Sequence, residues 1–150
     1  MQERIKILVI GSGGREHAIV KECLKSPLTS EVIVAPGNGG MSQDARCLPV
    51  DVSDPSAIAK LAKNEAVDFA IIGPEVPLCA GAVNQLEAED ITTFGPNKKA
   101  ARFEGSKTYT KDFLAKYKIP TARYGNFSDV KPALEYLETY PEIGRIVVKA

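Results

Sequence analysis

Residues 5–17 read Ile5-Lys-Ile-Leu-Val-Ile-Gly-Ser-Gly-Gly-Arg-Glu-His17, an apolar run of strand character that enters a glycine cluster and then a helical pattern. Glycines let the backbone turn sharply and approach a ligand without Cβ atoms in the way. The helix that follows has unpaired N–H groups and a partial positive charge at its N-terminus, which suit a phosphate. Arg15 adds a full positive charge. The predicted phosphate site comprises Gly11, Ser12, Gly13, Gly14 and Arg15.

A dinucleotide is the alternative ligand for such a loop. The dinucleotide fingerprint has glycines in the order G-x-G-x-x-G and an acidic residue about 20 residues later for the ribose hydroxyls. Gly11 and Gly13 fit, but Glu16 stands at the third position, where it is too large for close helix–strand packing. The next predicted strand is followed by Pro36 instead of an acid. The sequence therefore disfavours a nicotinamide-dependent oxidoreductase.

The composition excludes several classes of function. Nineteen basic and nineteen acidic residues cancel, which argues against a nucleic-acid surface or a membrane patch. No apolar stretch approaches the roughly 20 residues that span a bilayer, and the N-terminus lacks a signal-peptide pattern. Cys23, Cys47 and Cys79 are far apart and form no C-x-x-C pair, and His17 is the only histidine. We therefore expect a cytoplasmic protein with reduced cysteines and no metal site built from cysteine and histidine.

Strand and helix patterns alternate along residues 5–94, which predicts a Rossmann-like α/β fold, a parallel sheet with helices on both faces. The predicted strands are 5–10, 32–35, 47–50, 67–72 and 92–94, and the predicted helices are 15–25, a helix capped by Asp54 with Pro55 at its first position, and 78–88. Ligands of such sheets bind beyond the carboxyl ends of the strands. Those ends carry the glycine- and proline-rich turns 11–14, 36–40, 73–77 and 95–97. The site is predicted at this edge.

The composition changes after Pro96, which predicts a domain boundary between residues 96 and 97. The predicted elements beyond it are helices at 97–104 and 106–117, a strand at 122–127, a helix capped by Ser128 or Asp129, and a strand at 145–149. Because the sequence ends directly on this last apolar strand, we expect residues 1–150 to be the N-terminal part of a longer protein.

Four motifs carry a resemblance that covers the chain: Gly11-Ser-Gly-Gly-Arg-Glu-His-Ala18, Ala35-Pro-Gly-Asn38, Gly73-Pro-Glu-Val-Pro-Leu78 and Glu104-Gly-Ser-Lys107. In this order and spacing they resemble the glycinamide ribonucleotide synthetase family, and the match continues to Val147-Val-Lys-Ala150. The resemblance implies a pre-ATP-grasp domain at 1–96 followed by the start of an ATP-grasp domain. It also implies a ligase of de novo purine synthesis, which joins glycine to 5-phosphoribosylamine through glycyl phosphate while ATP becomes ADP and phosphate.

The resemblance also implies roles for particular residues. Lys107 and Lys149 are the expected ATP-binding lysines, and the ligands of Mg²⁺ or Mn²⁺ are expected beyond Ala150, so residues 1–150 alone should be inactive. Asn38 and Glu75 lie on strand-end turns, where they could bind the ribose hydroxyls or the amine, and His17 is placed no closer than the rim. The expected partners are small molecules, with no nucleic acid and no membrane. A non-catalytic ligand-binding domain is the third interpretation if the native chain ends at Ala150.

Overall fold

The computed structural model describes residues 4–140 and 143–148. The chain divides into two compact units, Met1–Ser106 and Lys107–Ala150. The first unit contains β1 (Ile5–Gly11), α1 (Gly14–Lys25), β2 (Thr29–Pro36), β3 (Arg46–Cys47), α2 (Pro55–Asn64), β4 (Phe69–Ile72), α3 (Glu75–Ala80), α4 (Ala82–Glu87), β5 (Thr92–Phe94) and α5 (Lys98–Gly105). The second contains α6 (Lys107–Lys116), α7 (Val130–Glu138) and a 3₁₀ turn at Ile143–Arg145. Among the described residues, no helix is long and apolar enough to cross a membrane.

The first unit is built on one parallel sheet with the strand order β3-β2-β1-β4-β5. β1 is the central strand, and its Ile10 lies opposite Ala35 of β2 on one side and Ile72 of β4 on the other. The carboxyl ends of these three strands therefore lie side by side. This arrangement confirms the predicted α/β fold with a parallel sheet.

Helices cover both faces of the sheet. Successive side chains of a strand point to opposite faces, and β1 is apolar at every position of the run from Ile7 to Ile10. Ile7 and Val9 pack in one cluster with Val20 of α1, and Leu8 and Ile10 pack in the other with residues of α2, α3 and α4. A strand buried on both sides is expected to read as a continuous apolar run, and β1 does.

Two side-chain caps fix where helices begin in the first unit. Asp54 accepts hydrogen bonds from the N–H groups of Ser56 (2.9 Å) and Ala57 (3.2 Å), and Pro55 takes the first helical position, as predicted. The side chain of Asn97 accepts from the N–H of Ala100 (3.0 Å) at the start of α5. α5 packs against α3 within this unit, and the predicted domain boundary after residue 96 stays a prediction.

The helix predicted at 78–88 is interrupted in the structure. It is divided into α3 and α4 by Gly81, whose φ of +106° lies in the left-handed region that favours glycine. α3 also begins earlier than predicted, at Glu75, directly after Pro74. Glu75 is therefore the first helical residue beyond β4, a position that bears on the site.

The second unit confirms two predicted helices and contradicts both predicted strands where they are described. Of the two predicted caps, Asp129 is the N-cap residue of α7, without a capping hydrogen bond from its side chain. No described residue of this unit forms a strand, so the prediction for 122–127 is wrong. The segment is instead held to α6 by the Tyr124 hydroxyl, which donates to the carbonyl of Lys111 (2.9 Å). The strand predicted at 145–149 is also wrong where it is described, because residues 146–148 are irregular, and residue 149 lies outside the described residues.

Candidate functional site

The candidate site lies where β1, β2 and β4 end. The sheet hydrogen bonds continue to the last residue of each strand: the N–H of Gly37 donates to the carbonyl of Gly11, and the N–H of Gly73 donates to the carbonyl of Ile10, both at 3.1 Å. The three glycine-rich turns that follow therefore start next to one another. This is the edge of the sheet that the sequence predicts as the site.

Glu16 determines the geometry of the loop after β1. It lies in the first turn of α1, and only 5% of its side chain is exposed. Its Oε2 accepts a hydrogen bond from the N–H of Gly13 (2.9 Å), and its Oε1 accepts one from Nε of Arg15 (2.8 Å). The carboxylate thus caps the helix on which it lies and binds the loop that precedes it.

Three glycines surround the Glu16 side chain. A Cβ at Gly11 or at Gly73 would come within 2.5 Å of Cγ of Glu16, and a Cβ at Gly13 would lie 2.8 Å from its Oε2. Real Cβ atoms do not approach other atoms so closely, so a side chain at any of these positions would displace Glu16. The expectation that Glu16 is too large for close helix–strand packing is therefore wrong. The glycines at the ends of two strands provide the space that it fills.

The Glu16 carboxylate is ionised although it is buried. Burial favours the neutral form and by itself raises the pKa of the carboxyl group. The hydrogen bonds from Arg15 and from the N–H of Gly13, together with the Arg15 charge, outweigh burial and hold the pKa of Glu16 below its ordinary value. The negative charge of the Glu16 carboxylate therefore lies beneath the loop at neutral pH. The same contact raises the pKa of Arg15.

Arg15 joins the loop after β1 to the turn after β4. Its Nη2 donates to the carbonyl of Gly73 (2.8 Å), while Nε donates to Glu16. These two bonds fix the orientation of the guanidinium, yet 61% of the side chain remains exposed. Arg15 thus presents a positioned positive charge at the surface of the predicted phosphate site.

Asn38 joins the turns after β1 and β2. Its Oδ1 accepts from the N–H groups of Gly40 (2.8 Å) and Met41 (3.0 Å), and its Nδ2 donates to the carbonyl of Ser12 (2.7 Å). Both ends of the amide bind backbone groups, so the structure gives Asn38 a role in holding the two turns together. Its contact with a substrate stays a prediction.

His17 lies on the side of α1 that faces the turn after β2. Its Nε2 is 2.6 Å from Oδ2 of Asp44, and Nζ of Lys21 lies 3.7 Å from the same oxygen. The hydrogen bond with His17, and next to it the charges of Lys21 and His17, hold the pKa of Asp44 below its ordinary value. Sequence reasoning missed Asp44, because nothing in its local pattern distinguishes it from a surface acid.

Glu75 lies in a groove between α3 and α5. The groove has a volume of about 500 Å³ and is lined by Glu75, Leu78, Pro96, Ala100, Ala101, Phe103 and Glu104. The carbonyl of Gly73, two residues before Glu75, accepts the hydrogen bond from Nη2 of Arg15, so the groove adjoins the loop after β1. Glu104 is a second acidic residue here, to which the sequence analysis assigned no role beyond its place in the Glu104–Lys107 motif.

The two lysines predicted to bind ATP lie outside the unit that carries this edge of the sheet or outside the described residues. Lys107 is the first residue of α6, in the second unit, and Lys149 lies outside the described residues. The ATP site therefore stays a prediction. Within the described ranges, no group of three or more His, Cys, Asp or Glu side chains is arranged to hold a metal ion.

Family models match both parts of the chain. Residues 5–104 match the model of the phosphoribosylglycinamide synthetase N domain, and residues 105–150 match that of the phosphoribosylglycinamide synthetase ATP-grasp (A) domain. Two similar proteins are the phosphoribosylamine–glycine ligases of Agrobacterium fabrum (47% identical over 146 residues) and Escherichia coli strain K12 (48% over 149 residues). The matches cover 97% of this chain but 34% of each relative, so the chain spans about a third of their length.

Solved structures agree with the fold. The phosphoribosylamine–glycine ligase of Thermotoga maritima is 31% identical with a TM-score of 0.56, and the match covers 79% of this chain and 26% of that one. The phosphoribosylglycinamide synthetase of Anaerococcus prevotii has a TM-score of 0.61 at 22% identity, over 89% of this chain and 35% of that one. At that identity the second likeness concerns the fold alone.

Proposed function

This chain belongs to the phosphoribosylglycinamide synthetase family, and we propose that it supplies the phosphoribosylamine-binding part of an enzyme that ligates glycine to 5-phosphoribosylamine. The observation that carries the proposal is the loop at Gly11–Gly14, which lies at the carboxyl edge of the sheet with the exposed, positioned charge of Arg15 beside it. The names of the relatives, which are phosphoribosylamine–glycine ligases, support the same conclusion.

The 5-phosphate of the substrate is assigned to the loop and the first turn of α1. The helix N-terminus offers N–H donors and a partial positive charge to an anion. A Cβ built at Gly14 would meet nothing within 4 Å, so the loop is open on this side. Arg15 lies next in the chain and adds a charge-assisted contact. One phosphate group fits this combination of donors.

The amine and the ribose hydroxyls are assigned to the adjoining groove. Carboxylates accept hydrogen bonds from hydroxyl and amino groups, and Glu75 and Glu104 both line the groove. Because Arg15 binds the carbonyl of Gly73, two residues before Glu75, the acidic groove and the cationic phosphate site are neighbours. A small molecule with a phosphate at one end and an amine at the other complements the pair.

The remaining substrates are glycine and ATP. A carboxylate is a poor acyl donor at neutral pH, so glycine must be phosphorylated by ATP before the amine attacks it, which gives glycyl phosphate and then the amide, with ADP and phosphate released. Phosphoryl transfer depends on positioning and on charge neutralisation. Lys107 and Lys149 are the residues proposed to contact ATP. Mg²⁺ would neutralise phosphate charge, and its ligands are proposed to lie outside residues 1–150.

We expect Arg15→Ala to test the phosphate assignment. In the complete native protein, the change should raise KM for freshly generated phosphoribosylamine about tenfold or more and leave KM for ATP unchanged, because a charge-assisted hydrogen bond contributes about 1.5–3 kcal/mol. Lys25→Ala, at the last residue of the same helix, is the matched control and should change neither constant. Equal KM values for Arg15→Ala and the wild type would contradict the proposed site.

Lys107→Ala tests the ATP assignment separately. Lys107 is the first residue of α6 in the second unit. Because the substitution removes a charge-assisted contact with a phosphate, we expect it to weaken ATP binding about tenfold or more and to slow glycyl phosphate formation. The affinity of the complete native protein for ATP would be measured by calorimetry. Lys116→Ala, at the last residue of α6, serves as the control, and unaltered affinity in Lys107→Ala would exclude the role.

A further inference from the structure

We propose that Glu16 is a specificity-determining residue, which restricts the loop at Gly11–Gly14 to a single phosphate group and excludes a pyrophosphate. The inference rests on the proposed function, since it assumes that the loop binds the 5-phosphate of a ribose. It assigns to one buried side chain the choice between two classes of ligand, ribose monophosphates and dinucleotides.

Glu16 already accepts the hydrogen bond from a backbone N–H group that a bound pyrophosphate would need. In dinucleotide-binding loops, the second glycine lets the backbone approach the pyrophosphate, and the third lets the helix pack closely on the strand. Here Gly13 stands at the second position, but its N–H already donates to Oε2 of Glu16 at 2.9 Å. The third position is Glu16 itself, which is 4% exposed. The turn has the first two glycines of a dinucleotide loop, but the Glu16 carboxylate is buried against them.

Charge acts in the same direction as shape. The Glu16 carboxylate is buried and ionised, and charges interact more strongly in a buried environment than in water. A second phosphate that approached Gly13 would meet this negative charge. A single phosphate avoids it on the open side at Gly14, near the exposed guanidinium of Arg15.

The surrounding glycines show that the space is built for this side chain. Gly11 is the last residue of β1 and Gly73 directly follows β4, and a Cβ at either position would come within 2.5 Å of the Glu16 side chain. Glu16 also binds Nε of Arg15 (2.8 Å), so it orients the cation that faces the ligand. Its side chain is held by contacts from the loop, from the adjacent turn and from Arg15. Glu16 thus acts on the ligand through Gly13 and Arg15, as a positioning residue.

The test compares two ligands that share one end. Ribose 5-phosphate carries one phosphate, and ADP-ribose carries the same ribose phosphate extended by a second phosphate and adenosine. The 150-residue chain should bind ribose 5-phosphate at least tenfold more tightly than ADP-ribose. Glu16→Ala produces the pattern G-x-G-x-x-A, which dinucleotide loops tolerate, and should reduce this preference at least tenfold. Glu22→Ala, an exposed position on the same helix, should leave the preference unchanged.

The ratio of the two dissociation constants distinguishes a specificity role from a merely structural one, because a damaged loop would weaken the binding of both ligands to the same extent. An unchanged ratio in folded Glu16→Ala, or equal binding of both ligands by the wild type, would overturn the inference. If circular dichroism shows that Glu16→Ala does not fold, Glu16→Gln is used, because it keeps the shape of the side chain and removes its charge. Glu16→Gln should reduce the ratio of the two dissociation constants about threefold, and an unchanged ratio would overturn the inference. If the wild type does not bind ribose 5-phosphate, the proposed function fails as well.

Discussion

Gly11→Ala is expected to lower the free energy of unfolding of this chain by about 3 kcal/mol, from backbone strain and overpacking together. Gly11 has a φ of +139°, a conformation that residues with a side chain rarely adopt. The added Cβ would also lie 2.5 Å from Cγ of Glu16, which is enclosed on its other sides by Gly13 and Gly73. Because Glu16 is 4% exposed, a shift of its side chain away from the new Cβ would also disturb the groups packed around it.

Chemical denaturation measures this loss, and Gly14→Ala is the matched control. Gly14 lies in the same loop, but a Cβ there would meet nothing within 4 Å. The free energy of unfolding of the Gly14→Ala variant should therefore stay within about 0.5 kcal/mol of that of the wild type. In a double-mutant cycle, Glu16→Ala should recover the part of the Gly11→Ala loss that is due to overpacking, since the two sites are in contact. Equal stability of Gly11→Ala and Gly14→Ala would contradict this account of the loop.

Gly13→Val should damage substrate binding more than any single change of charge at the site. In the complete native protein we expect it to raise KM for phosphoribosylamine about thirtyfold or more, equivalent to about 2 kcal/mol of binding free energy. The new Cβ would lie 2.8 Å from Oε2 of Glu16 and would break the hydrogen bond from the N–H of Gly13. The valine methyl groups would also cover the backbone that a phosphate must approach.

KM for ATP in the same variant is the internal control. ATP is proposed to bind at Lys107 and Lys149, so its KM should stay within about twofold while the KM for phosphoribosylamine rises; the thermal unfolding midpoint shows whether the variant is folded. A parallel rise of both constants would indicate general damage. If neither constant changes, the loop is only a turn between β1 and α1, and the phosphate assignment is wrong.

Local sequence patterns were sufficient for most of the fold. Apolar runs such as Ile7–Ile10 predict strands buried on both faces, and the Asp54–Pro55 pair predicts the start of α2 correctly. Gly81 was missed as a break because an isolated glycine inside a helical pattern is often tolerated. The strand at 122–127 failed because a strand also needs a neighbour to pair with, which local propensity does not report.

The sequence predicts which turns lie together at the candidate site, but not the contacts between their side chains. Strand-end glycines and Arg15 locate the loop, because in parallel α/β sheets ligands bind at the carboxyl ends of the strands. The role of Glu16 depends on Gly73, a residue far away in sequence that only the fold brings to it. Asn38 and Asp44 likewise act through contacts with other loops. Their effects are tertiary, so no local pattern indicates them.

The contact between Glu16 and its three glycines also constrains how this sequence can diverge. Gly11, Gly13 and Gly73 cannot gain a side chain while Glu16 keeps its rotamer, so changes at these positions are epistatic with position 16. A lineage that shortens residue 16 first is then free to enlarge Gly73, whereas the reverse order passes through an overpacked intermediate. Within the loop itself, one substitution at residue 16 separates the sequence from the pattern G-x-G-x-x-A, so the residue at position 16 helps to tell the two kinds of loop apart.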